Sequence, residues 1–333
     1  MASSSILAVW ILAMVTVIPN INGRAVHDIR TTNDGATHVK NNSYSRNVDP
    51  AAFQLPKATE LILESFSFED WNVTHFDKLA GTRYLTLLYG NIPRMTFQSN
   101  RLESFTVVQT NLTVFEVVPQ ENHQLRILQL VRNKLRSVPA NLRFLVGLTT
   151  LDLSQNHLEF IDLNQFSTLK ELKNLDLSVN KIRSIDASLN LSFPKMKNIW
   201  ISYNQLEQFE GFPGSFPALE TVRLIGNLWS CSWVDRARKD IMERGITTFG
   251  VDYGCSQHRQ GGLCCYGTVS TTEASLLSEG PLIGQIQKLT NELAVNPLNM
   301  SGEQSLELLT KNGSKDEGKV LIGVRRDRVE VFF

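Results

Sequence analysis

The sequence predicts an α/β solenoid, a fold in which short parallel strands stack along one side and the connecting segments form the other. Two observations predict it. An apolar pattern with an asparagine at its ninth position occurs five times, at periods of 23 and 24 residues. The 4 cysteines all follow the last copy. The copies start at Leu125, Leu148, Leu172, Met196 and Leu219.

Each copy reads Leu-x-x-Leu-x-Leu-x-x-Asn-x-Leu or a close variant, which is the signature of leucine-rich repeats. Extending the period backwards finds three weaker copies, which start at Ala58, Thr82 and Leu102. No repeat can bury its apolar face alone, so the copies must stack. The sequence therefore predicts a leucine-rich repeat horseshoe of about eight repeats, with a C-terminal disulfide cap and a short helical tail.

The asparagine of each copy predicts a buried ladder, because an amide inside the stack can bond the backbone of the adjoining turn. The three early copies hold Phe66, Gly90 and Thr110 at this position. These residues cannot make the same bonds, so we expect less regular turns in the early repeats. The ladder residues are Asn133, Asn156, Asn180, Asn204 and Asn227.

Five segments are expected along the chain. The uncharged apolar run from Ile6 to Ile18, followed by Gly23, predicts a signal peptide. A membrane anchor is the alternative, but the run is too short to span a bilayer, and no later run is long enough. We therefore expect a secreted product without a membrane span. The segments are residues 1–23, a signal peptide; 24–54, an N-terminal segment; 55–228, the repeats; 229–268, the cap; and 269–333, a partly disordered tail.

The tail carries Leu282, Ile286, Leu289 and Leu293 at heptad spacing, over too short a stretch for a durable coiled coil. This pattern predicts one short helix. A second helix is expected in the cap, where Val234, Ala237 and Ile241 recur at helical spacing until Gly245.

The cap contains Cys231, Cys255, Cys264 and Cys265. Four cysteines allow three pairings. A bridge between the adjacent Cys264 and Cys265 would strain the intervening peptide, so we expect Cys231 and Cys255 each to take one of that pair. Two intramolecular disulfides would leave no cysteine for a covalent dimer. Zinc is the alternative, but no C-x-x-C spacing is present, and we expect neither a metal nor a cofactor.

Sequons for N-glycosylation are a further sign of secretion. Those within the repeats fall outside the predicted strand positions, so glycans there would leave the concave face uncovered. The six acceptors are Asn41, Asn72, Asn111, Asn190, Asn299 and Asn312.

The residues that alternate with the inward leucines form the concave face, which is the predicted binding surface. Exposed Tyr, Trp and Arg suit protein recognition because they bury a large area and keep a polar tip. We expect Trp200 and Tyr203 to lie near one another on a single strand, although scattered exposed aromatics are also normal. The residues that the sequence places on this face are Tyr84, Leu88, Tyr89, Val108, Gln129, Arg132, Asp152, Asp176, Trp200, Tyr203 and Arg223. The candidate contact residues among them are Tyr84, Tyr89, Gln129, Arg132, Trp200, Tyr203 and Arg223.

A hydrolase is the competing interpretation of Asp152 with Ser154 and of Asp176 with Ser178. Both pairs recur at the same repeat position, which is typical of solenoid consensus residues. No nucleophile elbow, metal motif or phosphate loop accompanies them, so the sequence predicts that the protein is not an enzyme. The 33 basic and 33 acidic side chains balance, and no basic block stands out along the repeats. This charge distribution argues against nucleic acid as a partner.

The order of signal peptide, cysteine-free N-terminus, repeats, the segment Gly226-Asn227-Leu228-Trp229-Ser230-Cys231-Ser232-Trp233 and the pair Cys264-Cys265 resembles the mosquito leucine-rich immune (LRIM-type) proteins. The resemblance covers roughly residues 1 to 268. It implies a haemolymph protein whose partner is a complement-like thioester protein or another leucine-rich immune protein. The best understood members of that family work as disulfide-linked pairs, whereas this chain has no cysteine left for such a bridge once the cap is paired. Its short tail resembles the coil-poor branch.

The leading functional hypothesis is therefore a secreted binding protein of innate immunity, which recognises or scaffolds a complement-like protein or a microbial ligand. An extracellular matrix or cell-adhesion protein is the alternative. Secretion that is induced by infection would favour the first hypothesis, and constitutive deposition in tissue would favour the second. The same fold serves many partners, so the repeats alone do not name the ligand.

Overall fold

The computed structural model describes residues 16–19, 25–32, 35–41, 55–79, 81–267, 304–309, 319–325 and 328–332. It divides into two compact units, Met1–His157 and Leu158–Phe333.

Unit 1 is built on a sheet whose neighbours follow the order β1-β2-β3-β4-β5-β7-β9-β10. The first three strands are antiparallel, and from β3 onward the pairing is parallel. Strands β6 and β8 form a second, two-stranded parallel sheet. The elements are β1 (Thr16–Pro19), β2 (Ala25–Thr31), β3 (Thr37–Asn41), β4 (Glu60–Glu64), α1 (Val73–Asp77), β5 (Tyr84–Leu88), β6 (Arg94–Phe97), β7 (Ser104–Val108), β8 (Val114–Val117), β9 (Ile127–Gln129), a 3-10 helix (Leu142–Phe144) and β10 (Thr150–Asp152).

The core of unit 1 lies between its two sheets. Alternate residues of β4, β5 and β7 are buried, as the period of two in a strand requires. Phenylalanine rings fill the space behind them: Phe76 meets Phe97 and Phe105 edge to face at 5.1 and 5.4 Å. The weaker early copies therefore keep a buried, aromatic interior.

The turn after each strand is the same in every described repeat. The residue before the ladder position is left-handed at Ser65, Tyr89, Gln109, Arg132 and Gln155, with φ between 54° and 64°. Our expectation of less regular early turns is therefore wrong. Backbone bonds between neighbouring repeats fix the turn without asparagine: Ser65 donates to the Leu88 carbonyl at 2.8 Å, and Tyr89 to that of Val108 at 3.0 Å.

Gly90 shows why the second repeat has no side chain at its ladder position. A Cβ there would stand 2.3 Å from the carbonyl oxygen of Phe66. The same oxygen accepts the N–H of Asn91 at 2.9 Å. Close approach of two backbones replaces the asparagine bonds at this turn.

Unit 2 continues the same plan, with parallel pairing in the order β12-β14-β15-β16. Strands β11 and β13 pair in parallel, and β17 and β18 form an antiparallel hairpin. The elements are β11 (Phe160–Asp162), a 3-10 helix (Leu163–Phe166), β12 (Asn174–Asp176), β13 (Ser184–Asp186), β14 (Asn198–Trp200), β15 (Thr221–Arg223), α2 (Cys231–Arg244), β16 (Thr247–Thr248), β17 (His258–Gln260), β18 (Leu263–Cys265), β19 (Gln304–Leu309), β20 (Lys319–Arg325) and β21 (Arg328–Phe332).

Helix α2 confirms the predicted cap helix. The Ser230 hydroxyl accepts the N–H of Trp233 at 3.3 Å, and Gly245 ends the helix with a left-handed φ of 65°. Val234 and Ala237 are buried on the inner face. Glycine ends the helix because it tolerates that φ.

Part of the tail forms an antiparallel sheet of strands β19, β20 and β21, which was not predicted. The Val-rich and Leu-rich sequences of these strands are typical of β-structure. The helix expected at residues 282–293 lies outside the described residues and stays a prediction.

Candidate binding surface

The asparagine ladder confirms that each repeat is tied to its neighbour. In unit 1, the Asn156 side chain accepts the N–H of Leu135 at 3.1 Å and donates to the Leu130 carbonyl at 2.7 Å. In unit 2, Asn204 accepts the N–H of Ile182 and donates to the Leu177 carbonyl, both at 3.0 Å. These bonds hold the strands in register, so the outward side chains of neighbouring repeats form ordered rows.

In unit 1 the predicted contact residues are partly engaged with one another. Gln129 accepts a hydrogen bond from the Thr106 hydroxyl at 3.1 Å, and the Arg132 guanidinium donates to Gln155 at 2.7 Å. The Tyr84 hydroxyl donates to Glu103 at 3.3 Å. Tyr89, in the turn, is 56% exposed. The polar groups of Gln129 and Arg132 thus brace the stack, which weakens their case as partner contacts.

An apolar row lies on the same strand face of unit 1. Leu88 and Val108 are direct partners on β5 and β7, and both are half-buried. Val131, at the equivalent place in the next repeat, is also half-buried and was not among the predicted contact residues. Its repeat position beside Val108 was the signal that could have identified it.

On the strand face of unit 2, an acidic, an aromatic and a basic residue lie side by side on three neighbouring strands. Asp176, Trp200 and Arg223 are register partners on β12, β14 and β15, so the indole stands between a carboxylate and a guanidinium. All three side chains are half-buried. Beside this row, Asn198 donates to Asn174 at 2.6 Å and accepts from the Thr221 hydroxyl. The strand face of unit 2 is therefore a rigid polar and aromatic surface.

Tyr203 lies elsewhere than predicted. Strand β14 ends at Trp200, and Tyr203 occupies the left-handed turn after it, with a φ of 57°. No ring contact joins it to Trp200 among the residues that the structure describes. Tyr203 is 56% exposed, and Val179, in the preceding turn, is 46% exposed. The two aromatics thus mark a strand row and a turn edge, not one stacked pair.

The Asp and Ser pairs have structural roles. Asp152 accepts the N–H of Ser154 at 2.9 Å, and Asp176 accepts that of Ser178 at 2.8 Å. Both serines are buried, and Ser178 accepts a bond from Ser202 at 3.2 Å. These carboxylates position turns. The arrangement supports the consensus interpretation over the hydrolase one.

The disulfides take one cysteine each from the adjacent pair, as predicted. Cys231 bonds Cys265 and Cys255 bonds Cys264. No free cysteine is present in the part of the chain that the structure describes, which contains all four. The cap is further closed by the stacked rings of Trp229 and Trp233, whose centroids lie 4.1 Å apart.

The Asp252 carboxylate joins the cap to the last repeat. One oxygen accepts the N–H of Gly226 at 2.7 Å, and the other accepts that of Cys264 at 2.9 Å. Asp252 was not predicted, because nothing in its local sequence pattern indicates a contact across 26 residues. Its effect is to hold the turn of the last repeat against the disulfide-bonded hairpin.

The sequons within the described repeats lie outside the strands. Asn72 is the N-cap of α1, and Asn111 and Asn190 are exposed. Asn41 ends β3, whereas Asn299 and Asn312 lie outside the described residues. Asn72, Asn111 and Asn190 thus lie outside the strands; that they carry glycans and that such glycans leave the strand face open stays a prediction.

Within the described residues, no three His, Cys, Asp or Glu side chains come together as metal ligands. The same part of the chain contains no helix with the length and apolar character needed to cross a membrane.

Comparison with known proteins identifies leucine-rich repeats in the middle of the chain. The sequence model described as "Leucine rich repeat" matches residues 123–182 and 146–206. No curated protein matches the chain significantly. A chain in the crystal structure of the LRIM1/APL1C complex is similar with 18% identity and a TM-score of 0.41, covering 75% of this chain and 57% of that one. The APL1 leucine-rich repeat domain is similar with 19% identity and a TM-score of 0.38, covering 67% and 75%.

This chain thus spans just over half of the length of the LRIM1/APL1C chain that it matches. The matched repeats and the stacked parallel strands confirm the predicted leucine-rich repeat fold.

Proposed function

We propose that this protein is a secreted leucine-rich repeat binding protein of innate immunity. It recognises or scaffolds a protein partner through the outward strand face of its repeats. The observation that carries this proposal is the row of Asp176, Trp200 and Arg223, which are held in register on three neighbouring strands of unit 2. A half-buried indole between opposite charges has the composition of an interaction hot spot.

The chemistry of the described residues favours binding over catalysis. The Asp and Ser pairs that could suggest a hydrolase are occupied in turns. Leucine-rich repeats are typically interaction modules, and the matched family is not a catalytic one.

Secretion is supported by the two disulfides, which persist in oxidising compartments. The sequons and the apolar run from Ile6 to Ile18 support the same inference. The immune role rests on the resemblance carried by the segment from Gly226 to Trp233 and the Cys264-Cys265 pair. On that resemblance, the partner is a complement-like thioester protein or another leucine-rich immune protein, in haemolymph.

The test is a pull-down with tagged, disulfide-bonded protein from mosquito haemolymph, with and without microbial challenge. We expect a complement-like protein or a leucine-rich immune protein to be retained, and retention to fall with Trp200→Ala. The matched control is Tyr253→Ala, which removes an aromatic side chain that is 83% exposed on the cap. Retention of matrix or cell-surface components instead, with no effect of challenge, would favour an adhesion protein.

A further inference from the structure

Arg223 is an unusual cation on the strand face of unit 2. Its guanidinium has no hydrogen bond or ion pair with any residue of the chain that the structure describes, although the side chain is half-buried. Two other cations of unit 2 are paired: Lys195 lies 2.7 Å from Glu171, and Lys197 lies 2.6 Å from Glu220. A partly desolvated charge is costly unless it is paired, and guanidinium binds carboxylate in a bidentate manner.

The opposite charge lies in the same row. Asp176 and Arg223 flank Trp200 on β12 and β15. Strands in a sheet are about 4.8 Å apart, so the two charged residues stand about 10 Å apart at their Cα atoms. The bond from the Ser178 N–H to Asp176, at 2.8 Å, keeps that carboxylate in place. The row thus presents a fixed order of anion, indole and cation.

That spacing selects a backbone conformation for a segment that crosses the strands. In a fully extended strand, residues three apart point to opposite faces. In a polyproline II helix they share a face and lie about 9 Å apart. Segments of this kind bind aromatic-lined surfaces, because little conformational entropy is lost when they dock.

We propose that the row of Asp176, Trp200 and Arg223 binds a polyproline II segment of a partner protein. The segment places an acidic residue on Arg223 and a basic residue, three positions away, on Asp176. A proline or another apolar side chain between them packs on Trp200. This inference rests on the proposed function, because it names the partner chemistry of the same surface.

The test starts from a random peptide library displayed on phage and selected on the full-length, disulfide-bonded protein. We expect enrichment of peptides with an acidic and a basic residue three positions apart and an apolar residue between them. A synthetic peptide of the enriched sequence should bind in fluorescence anisotropy, and Arg223→Gln should weaken it about tenfold or more. The matched control is Arg259→Gln, because Arg259 is exposed on the cap hairpin.

A charge exchange separates this proposal from a general loss of structure. The double variant Asp176→Arg with Arg223→Asp should lose the selected peptide and bind the same peptide with its acidic and basic residues exchanged. Thermal unfolding of each variant reports whether the fold is intact. Asp176→Asn with Arg223→Gln provides a second route if the exchanged variant unfolds, because it should lose both peptides.

Four outcomes would overturn the proposal. Enriched peptides could carry charges seven apart, as a helix requires, or carry no acidic residue. Binding could require Trp200 and ignore Arg223→Gln, which would leave the proposed function standing while refuting the segment. If no selected peptide and no haemolymph partner depends on Trp200, both proposals fail.

Discussion

The ring of Tyr203 lies against the backbone of Gly226 in the next repeat. A Cβ at Gly226 would stand 2.5 Å from Cδ1 of the tyrosine ring and 2.9 Å from Cε1. Gly226 also has a left-handed φ of 71°, and its N–H donates to Asp252 at 2.7 Å. One position therefore supports an exposed aromatic of the candidate surface and the attachment of the cap.

Gly226→Ala should destabilise unit 2 by more than the left-handed backbone alone explains. That backbone term costs about 1 to 2 kcal/mol for an L residue. Overpacking against Tyr203 should add roughly 1 to 3 kcal/mol. Gly245→Ala is the matched control, because its φ is 65° and nothing lies within 4 Å of a Cβ there. Adding Tyr203→Ala should recover the overpacking part in urea unfolding; equal losses for both glycine variants would contradict the contact.

Asn156→Leu should destabilise the repeats by about 1 to 3 kcal/mol, because the N–H of Leu135 and the carbonyl of Leu130 lose a buried partner. Asn180→Leu should act in the same direction, since the side chain of Asn180 accepts the N–H of Leu158. Asn100→Leu is the control, because Asn100 is exposed. Thermal unfolding provides the measurement, and a melting temperature unchanged by Asn156→Leu would show that the ladder bonds contribute nothing.

The ladder also shows what sequence reasoning can predict. Asn133 and Asn156 were identified because a buried turn selects one residue type, which the sequence then repeats. The regular turns at Ser65 and Tyr89 could not be predicted, because backbone bonds hold them and leave no side-chain signature. That the guanidinium of Arg223 has no partner among the described residues could not be predicted either. Its lack of a partner depends on which charges the neighbouring strands carry.

The cap should contain two intramolecular disulfides and form no covalent dimer, since each cysteine is already paired. Reduced and non-reduced gels of the secreted protein should show a single monomer mass. Replacing Cys231 and Cys265 together by alanine should cost roughly 2 to 5 kcal/mol and reduce secretion. A cysteine-dependent doubling of mass on the non-reduced gel would refute the pairing.

Mild acid should lower the free energy of unfolding of unit 1, because it favours protonation of the buried His75. Burial beside Phe68 and Trp71 is the largest effect on His75 and lowers its pKa. A hydrogen bond with the Asn72 backbone raises the pKa. The charge of Lys78 lowers the pKa further, and the charge of Asp70 raises it. His75 therefore binds a proton more readily in the unfolded chain than in the folded one. The stability that neutral His75 contributes is fully present above its ordinary pKa of 6.5, and it decreases as the pH falls below that value.

Urea unfolding at about pH 7.5 and about pH 5.5 brackets this transition. The parent should lose stability between the two, and His75→Phe should lose less of it. The control is His258→Phe, because His258 is exposed. Glu64 does not confound this range: Lys40 lowers the pKa of Glu64 below its ordinary 4.5, so its contribution is lost only in stronger acid. An unchanged pH dependence in His75→Phe would assign the acid sensitivity to another group.

The strand face and the tail make opposite predictions for partner binding. If the strand face carries the contacts, Trp200→Ala with Tyr203→Ala should weaken the complex by more than about 2 kcal/mol and leave the fold intact, since both side chains point outward from the stack. Removing the sequons at Asn72, Asn111 and Asn190 should have little effect, because all three lie outside the strands. The affinities can be compared by titration against the partner that the pull-down retains.

If the cap and tail carry the contacts, truncation should abolish binding and the aromatic pair should be silent. The truncation belongs after Gly267, because Tyr266 pairs with the cap: its N–H donates to Trp229 at 2.8 Å and its carbonyl accepts from Cys231 at 3.0 Å. Ending the chain earlier would remove these bonds and disturb the cap itself. The strand-face proposal requires the truncated protein to keep its affinity and the double variant to lose it; the reverse result would move the binding site to the tail.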